Sequence, residues 1–195
     1  MRYAHERSGR RCLAELIRAG YRGSALVPVV DAAAVGDAVR AGVGATVRTR
    51  VGGSLDTNRF RPLQIEATVR MLSDGRFRSE SFDQAWFAGT TGVLQADNVT
   101  LVVTSRPVHL YDRSLFLAHG LDPKQFDLVV VKSPHCQPHM YADWCARLIN
   151  VDAPGSTSAN LPTLGHTRCR RPIFPLDPDV PFAPQARLFS RGGMP

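Results

Sequence analysis

Lysine is scarce in this chain of 195 residues, occurring only at Lys124 and Lys132, so the formal charge of +7 rests on arginine. The arginines are scattered, apart from Arg7, Arg10 and Arg11 near one end and Arg168, Arg170 and Arg171 near the other. No basic stretch is interleaved with aromatics, so a nucleic-acid partner is not expected. Cysteine is also sparse. Cys12, Cys136, Cys145 and Cys169 show no C-x-x-C spacing. Cys136 and Cys145 fall on different turns of one expected helix, too far apart to bridge, and a reduced cytoplasmic protein is the simplest reading. Long apolar runs are missing, which excludes a helical membrane span. The basic start MRYAHERSGRR is followed by a run broken by Glu15 and Arg18, which excludes a signal-peptide core. There is no internal repeat.

What is present is an ordinary globular composition, with 44% hydrophobic and 21% charged residues, enough for one domain with a real core. Apolar residues at 12, 13, 16 and 17, closed by Gly20, predict a short amphipathic helix. Ala25 to Val30 reads as a buried strand. Asp31 is a natural cap for a helix from Ala32 to Ala41, with Gly42 as its stop. A strand over Ala45 to Val51 completes a βαβ-like unit.

The pattern then changes period. Leu63, Ile65, Ala67, Val69 and Met71 alternate with polar residues, the mark of a half-buried antiparallel strand. Ser73-Asp74-Gly75 is a turn, with a hairpin turn at Asp97-Asn98 between Gly92–Ala96 and Val99–Thr104. Ser79 to Thr91 reads as a loop whose Trp86 and Phe87 either line a ligand groove or plug the core. Ser114 to His119 is a short helix stopped by Gly120. Leu128 to Val131 is a second buried strand, and Leu148 to Val151 a further apolar run. From Pro172 the chain is proline-rich and extended. The fold class is α/β: a mixed sheet with a βαβ-like unit, an antiparallel hairpin portion, flanking helices and an extended proline-rich tail.

Chemistry concentrates after Val131. Lys132, Ser133, Pro134 and His135 follow the carboxyl end of a buried strand, where open α/β sheets place ligands. Lys132 and Ser133 suit binding of an anion or carboxylate, or plain capping, and no partner spacing supports a nucleophilic triad. His135, Cys136 and His139 include an H-x3-H spacing. Pro138, however, belongs at a first helical position, which separates the two histidines, and no third ligand follows. A pair between His139 and Asp143 is the plainer alternative. Thr104-Ser105-Arg106 ends another strand, and Arg106 is suited to grip a peptide carboxylate through paired N–H groups. In the Asp152-Ala-Pro-Gly155 turn, Gly155 either frees amides to cradle a carboxylate or simply turns the chain. Lys132, Ser133, His135 and Arg106 are the candidate substrate-binding residues. No catalytic or metal-ligating residue is assigned.

Six motifs carry a resemblance. AGVGATVRTRVGGSLD from Ala41, RMLSDGRF from Arg70, LVVTSRPV from Leu101, DLVVVKSPH from Asp127, VDAPGSTS from Val151 and RRPIFPLD from Arg170 occur in one order. Together they resemble the carboxyl-terminal domain of the microcystinase C (MlrC) family of zinc metallopeptidases, named for degradation of microcystin peptides. The resemblance spans residues 12 to 178, with residues 1–11 a non-matching basic segment and 179–195 an extended tail.

It implies hydrolysis of peptide-like amide bonds, with zinc held by His and acidic residues of a larger amino-terminal domain. On that basis this chain is expected to hold no zinc itself, to need the missing domain as its partner, and to supply cleft wall and substrate contacts. An exposed apolar patch around Leu13, Leu16 and Ile17 is expected where the partner docks, with self-association into a homo-oligomer in its absence. Two other readings stay open. One is a metal-free binding module for an anionic metabolite. The other is an interaction subunit that completes a separately encoded zinc domain.

Overall fold

The computed structural model describes residues 7–53, 61–110, 112–131, 139–149, 151, 161–174, 176–181, 183 and 185–186. The chain divides into two compact units, Met1–Thr157 and Ser158–Pro195. The first is a mixed α/β unit. Its helices are α1 (Arg7–Arg18), α2 (Ala32–Ala41), α3 (Ser114–Leu117) and α4 (His139–Ala142). Its strands are β1 (Ala25–Val30), β2 (Thr46–Val51), β3 (Leu63–Ser73), β4 (Arg76–Arg78), β5 (Ala85–Phe87), β6 (Thr91–Ala96), β7 (Val99–Thr104) and β8 (Leu128–Val129).

Six strands form one sheet in the order β2-β3-β6-β7-β1-β8, and β4 pairs with β5 in a small ribbon. β1 is parallel to both β7 and β8, and the other pairs are antiparallel. The burial of each strand explains its sequence. Every residue of β1 and β7 is buried, because both faces of these strands are covered; β1 reads as a continuous apolar run, and β7 as an apolar run broken only by Thr100 and Thr104. β2 alternates exposed and buried residues, so only one of its faces meets the core.

One face of the sheet carries α1 and α2. Leu13, Val27, Val29, Ala34, Val35, Ala38, Ile65, Val69, Leu101 and Val103 form the core there. The other face carries the β4–β5 ribbon and α3, with Leu26, Phe77, Ala88, Val102, Leu110, Leu115 and Phe116 packed together. Asp31 caps α2 as expected, its Oδ1 accepting from the amides of Ala33 and Ala34 at 3.0 and 3.1 Å.

Three expectations change. The strand–helix–strand order of the βαβ-like unit is present, but the return strand β2 pairs with β3 and is not a parallel neighbour of β1. The pairing of β3 with β6 shifts register between Val69 and Met71, and such irregularities bend a sheet. β2 then runs beside α2, where the Thr49 hydroxyl donates to Asp37 at 2.5 Å. Second, α1 begins at Arg7, ahead of the expected start, and its apolar face is spent on β1. Leu13 is fully buried, Leu16 packs on the core, and of the expected patch only Ile17 is exposed, at 51%. Burying Leu13 is worth about 2 kcal/mol.

Third, β8 has two residues rather than the four expected. Leu128 and Val130 donate to the carbonyls of Ser24 and Leu26. The next rung of a parallel ladder would need an N–H at position 28, where Pro28 has none. Leu148, Ile149 and Val151 lie outside any strand and are each 64% exposed.

In the second unit, the Arg171 guanidinium grips Asp177, with Nε 2.6 Å from Oδ2. The Ile173 amide donates to the same carboxylate at 2.7 Å. These bonds, Arg171 first, push the Asp177 carboxyl down to about 2. Among the described residues, no helix is long and apolar enough to cross a membrane.

Candidate functional site

Because β1, β7 and β8 are parallel, their carboxyl ends share one sheet edge. A small crevice lined by Pro28, Val30, Thr104, Val108, Leu110 and Leu115 sits beside the ends of β1 and β7. Arg106 emerges two residues past β7. Its backbone is fixed there: Ser105 N–H donates to the Thr90 carbonyl and Arg106 N–H to the Ala88 carbonyl, both at 2.9 Å, and the Thr104 hydroxyl donates to the Arg106 carbonyl at 2.9 Å.

The ribbon supplies the neighbour of Arg106. β4 and β5 pair Arg76 with Phe87, Phe77 with Trp86, and Arg78 with Ala85. Alternation turns Phe77 and Trp86 inward. Trp86 meets Phe77 edge-on and stacks on Phe82, with ring centroids 6.0 Å apart in each case, and meets His109 at 5.8 Å. Phe87 points the other way and remains 42% exposed. The guanidinium carbons of Arg76 and Arg106 lie 5.0 and 5.2 Å from its ring centroid, within cation–π range. Of the two loop aromatics, Trp86 is a plug and Phe87 is surface.

Two polar nodes hold this region. At the first, the Ser73 hydroxyl lies 2.7 Å from Nε2 of His119, whose Nδ1 lies 2.6 Å from the Leu115 carbonyl oxygen. The Gly75 amide donates to the Ser73 hydroxyl and the Arg76 amide to Asp74, which closes the turn that launches Arg76. The His119 ring is oriented by a backbone carbonyl rather than by a carboxylate, so this pair ties the turn to α3.

The second node is Asp112, which is 2% exposed. Its carboxylate accepts from the Ser79 hydroxyl at 2.5 Å and from the amides of Ser114 and Ser81 at 2.9 and 3.2 Å. Burial alone would push this carboxyl up; the hydrogen bonds, led by Ser79, outweigh burial and hold it below its ordinary value. Beside it, Arg113 forms a two-pronged bond with Glu80 at 3.0 and 2.9 Å, and that bond lowers the Glu80 carboxyl. Tyr141 of α4, nearly buried, reaches the Asp112 carbonyl at 3.4 Å.

Of the candidate substrate-binding residues, Arg106 stands at the strand-end edge. Lys132, Ser133 and His135 lie outside the described residues, as do Cys136 and the His139 side chain. α4 opens at His139, and Asp143 after it is exposed. Among the described residues, no group of three or more His, Cys, Asp or Glu side chains could hold a metal ion.

Sequence alone does not mark Arg76 and Phe87 as neighbours of Arg106, because Ser79–Thr91 has the look of a loop. The signal was the alternation in Arg76-Phe77-Arg78 facing Trp86-Phe87. Nor does sequence alone mark Asp112: of its carboxylate's three partners, two, Ser79 and Ser81, lie more than thirty residues away.

The sequence model of the family described as MlrC C-terminus matches residues 8–168. Among solved structures, one of a candidate metallopeptidase from Mesorhizobium sp. BNC1 is similar, with a TM-score of 0.72 and 32% identity. The similarity covers 87% of this chain and 34% of that one, so the chain spans about a third of that protein's length. No curated protein matches.

Proposed function

Since this chain belongs to the family of MlrC carboxyl-terminal domains, we propose that it forms the cleft wall and substrate contacts of a zinc metallopeptidase acting on peptide-like amide bonds. The zinc, in this reading, is held by a larger amino-terminal domain. The observation that carries it is the family match over residues 8–168, joined to the likeness to about a third of a longer candidate metallopeptidase.

The geometry supports the same reading. Arg106 stands fixed by its backbone at the carboxyl edge of the parallel strands, where α/β sheets bind ligands. Lys132, Ser133 and His135 follow β8, whose described end runs to that edge, and are proposed as further contacts. The role proposed for this chain is binding and orientation of substrate. Cys12, Cys145 and Cys169 are unpaired, which supports the cytoplasm as its compartment.

Reconstitution tests this. The amino-terminal region of a longer family member, loaded with zinc, is assayed on a peptide library with and without this chain. Cleavage that needs both pieces is expected, as is elemental analysis of this chain alone showing well under one zinc per molecule. Zinc-dependent cleavage by this chain alone would overturn the assignment of the metal to another domain. Absence of any stimulation would overturn the cleft-wall role and favour a metal-free anion-binding module.

A further inference from the structure

We infer that Arg76, Phe87 and Arg106 form one carboxylate-binding platform, which takes an acidic side chain or free carboxyl terminus lying beside an apolar group. The inference rests on the cleft-wall reading and adds Arg76 and Phe87 to it.

Two cations lie against one exposed ring. Each guanidinium is drawn to the ring, and each repels the other, so the pair leaves a doubly positive spot at the surface. Several other arginines are neutralised. Arg18, Arg40, Arg48, Arg78, Arg113 and Arg171 each pair with a carboxylate of Glu15, Asp37, Glu66, Asp83, Glu80 and Asp177 respectively. Arg106 has no carboxylate partner among the described residues. Arg76 has only Asp74 at 3.5 Å, with both side chains at least 70% exposed, a pairing of little strength.

The platform is also built rather than incidental. Three segments are laced side by side: Ala88 N–H donates to the Gly75 carbonyl at 2.8 Å, and Arg106 N–H donates to the Ala88 carbonyl. Arg76 and Phe87 are direct partners in the ribbon register. Gly89, at φ +68°, makes room for the Arg106 stem, since a Cβ there would come within 2.3 Å of Ser105 Oγ and 2.7 Å of Arg106 Cγ. A guanidinium stacked on a ring keeps its in-plane N–H groups free, and their fork matches a carboxylate. The uncovered part of Phe87 offers apolar contact to whatever flanks that carboxylate.

The test is calorimetric titration of the purified chain with the tripeptide Ala-Phe-Ala as free acid, as its carboxyl-terminal amide, and with inorganic phosphate. The free acid is expected to bind at least tenfold more tightly than the amide. Arg106→Gln should weaken the acid about tenfold, Arg76→Gln less, and the double variant should bring acid and amide level. Phe87→Ala should weaken binding several-fold, and Arg106→Lys should recover only part of the loss, since it restores charge without the fork. Circular dichroism confirms that each variant is folded. Equal binding of acid and amide, indifference to both arginine substitutions, or phosphate binding as tight as the peptide acid would overturn the platform. Failure of the parent chain to bind the peptide acid, with reconstituted cleavage intact, sinks the platform alone. Binding as expected without reconstituted cleavage sinks the cleft-wall role alone.

Discussion

The carboxylate of Asp31 accepts the backbone N–H of Gly52 at 2.9 Å, across twenty-one residues of chain. Its other oxygen caps α2. One buried side chain therefore joins the end of β1, the start of α2 and the exit of β2. Asp31→Ala removes the cap and leaves the Gly52 amide without its acceptor. The expected loss is about 2–4 kcal/mol, from about 1 for the cap and about 1–3 for an orphaned buried donor. Urea denaturation measures it. A loss below about 1 kcal/mol would show that the Gly52 bond contributes nothing.

Much of this architecture was legible in the residues, and the reason is period. β1 is an unbroken apolar run and β7 a largely apolar one because both their faces are covered, whereas β3 alternates over its first half because one face meets solvent. Asp31 and Gly42 bracket α2 by local chemistry alone. Failures came where a local pattern needs a distant partner. Pro28 shortens β8, a hundred residues downstream. Leu148, Ile149 and Val151 form an apolar run whose place in the fold the local sequence does not set, and no neighbour pairs with them among the described residues. The β4–β5 ribbon has three residues per strand, too few for alternation to stand out, and with it went Arg76 and Phe87. Arg106 was found because a polar residue past a buried strand has a direction dictated by the strand.

Acid should expose the role of Asp112. Its carboxyl titrates below its ordinary value in the folded protein, despite the opposing effect of burial. A group depressed in this way adds stability above the unfolded value of about 3.9 and loses it as pH falls through the folded value. Glu80 acts in the same direction through Arg113. Thermal midpoints should hold from pH 7 to about 5 and fall steeply below about 4. Asp112→Asn should lower stability by about 1–3 kcal/mol at pH 7 and flatten the acid limb. An unchanged limb in that variant would remove Asp112 from the account.

Gly9 marks where α1 meets the sheet. A Cβ at this position would come within 2.1 Å of the Pro28 carbonyl oxygen, a backbone atom that cannot step aside. Gly9→Ala should therefore cost about 1–3 kcal/mol from overpacking, although alanine is the better helix former by up to about 1 kcal/mol. Hydrogen exchange should show the loss concentrated in α1 and in β1 beneath it. A stabilised Gly9→Ala would mean that α1 does not dock on β1 as described.

Exposed apolar side chains should govern association. Leu148, Ile149 and Val151 cluster within four residues, each about two-thirds exposed, and Leu13, which the sequence placed in such a patch, is instead core. Transfer of exposed aliphatic surface out of water is favourable by about 25 cal/mol per Å², so copies of the chain should associate through this segment at high concentration. The variant Leu148→Ser, Ile149→Ser, Val151→Ser removes that surface without touching either core cluster. Sedimentation should show association of the parent chain and a shift toward monomer in the variant, with thermal midpoints within a degree or two. If the variant associates as strongly as the parent, the driving surface lies elsewhere. If the variant unfolds, the segment is packed rather than exposed.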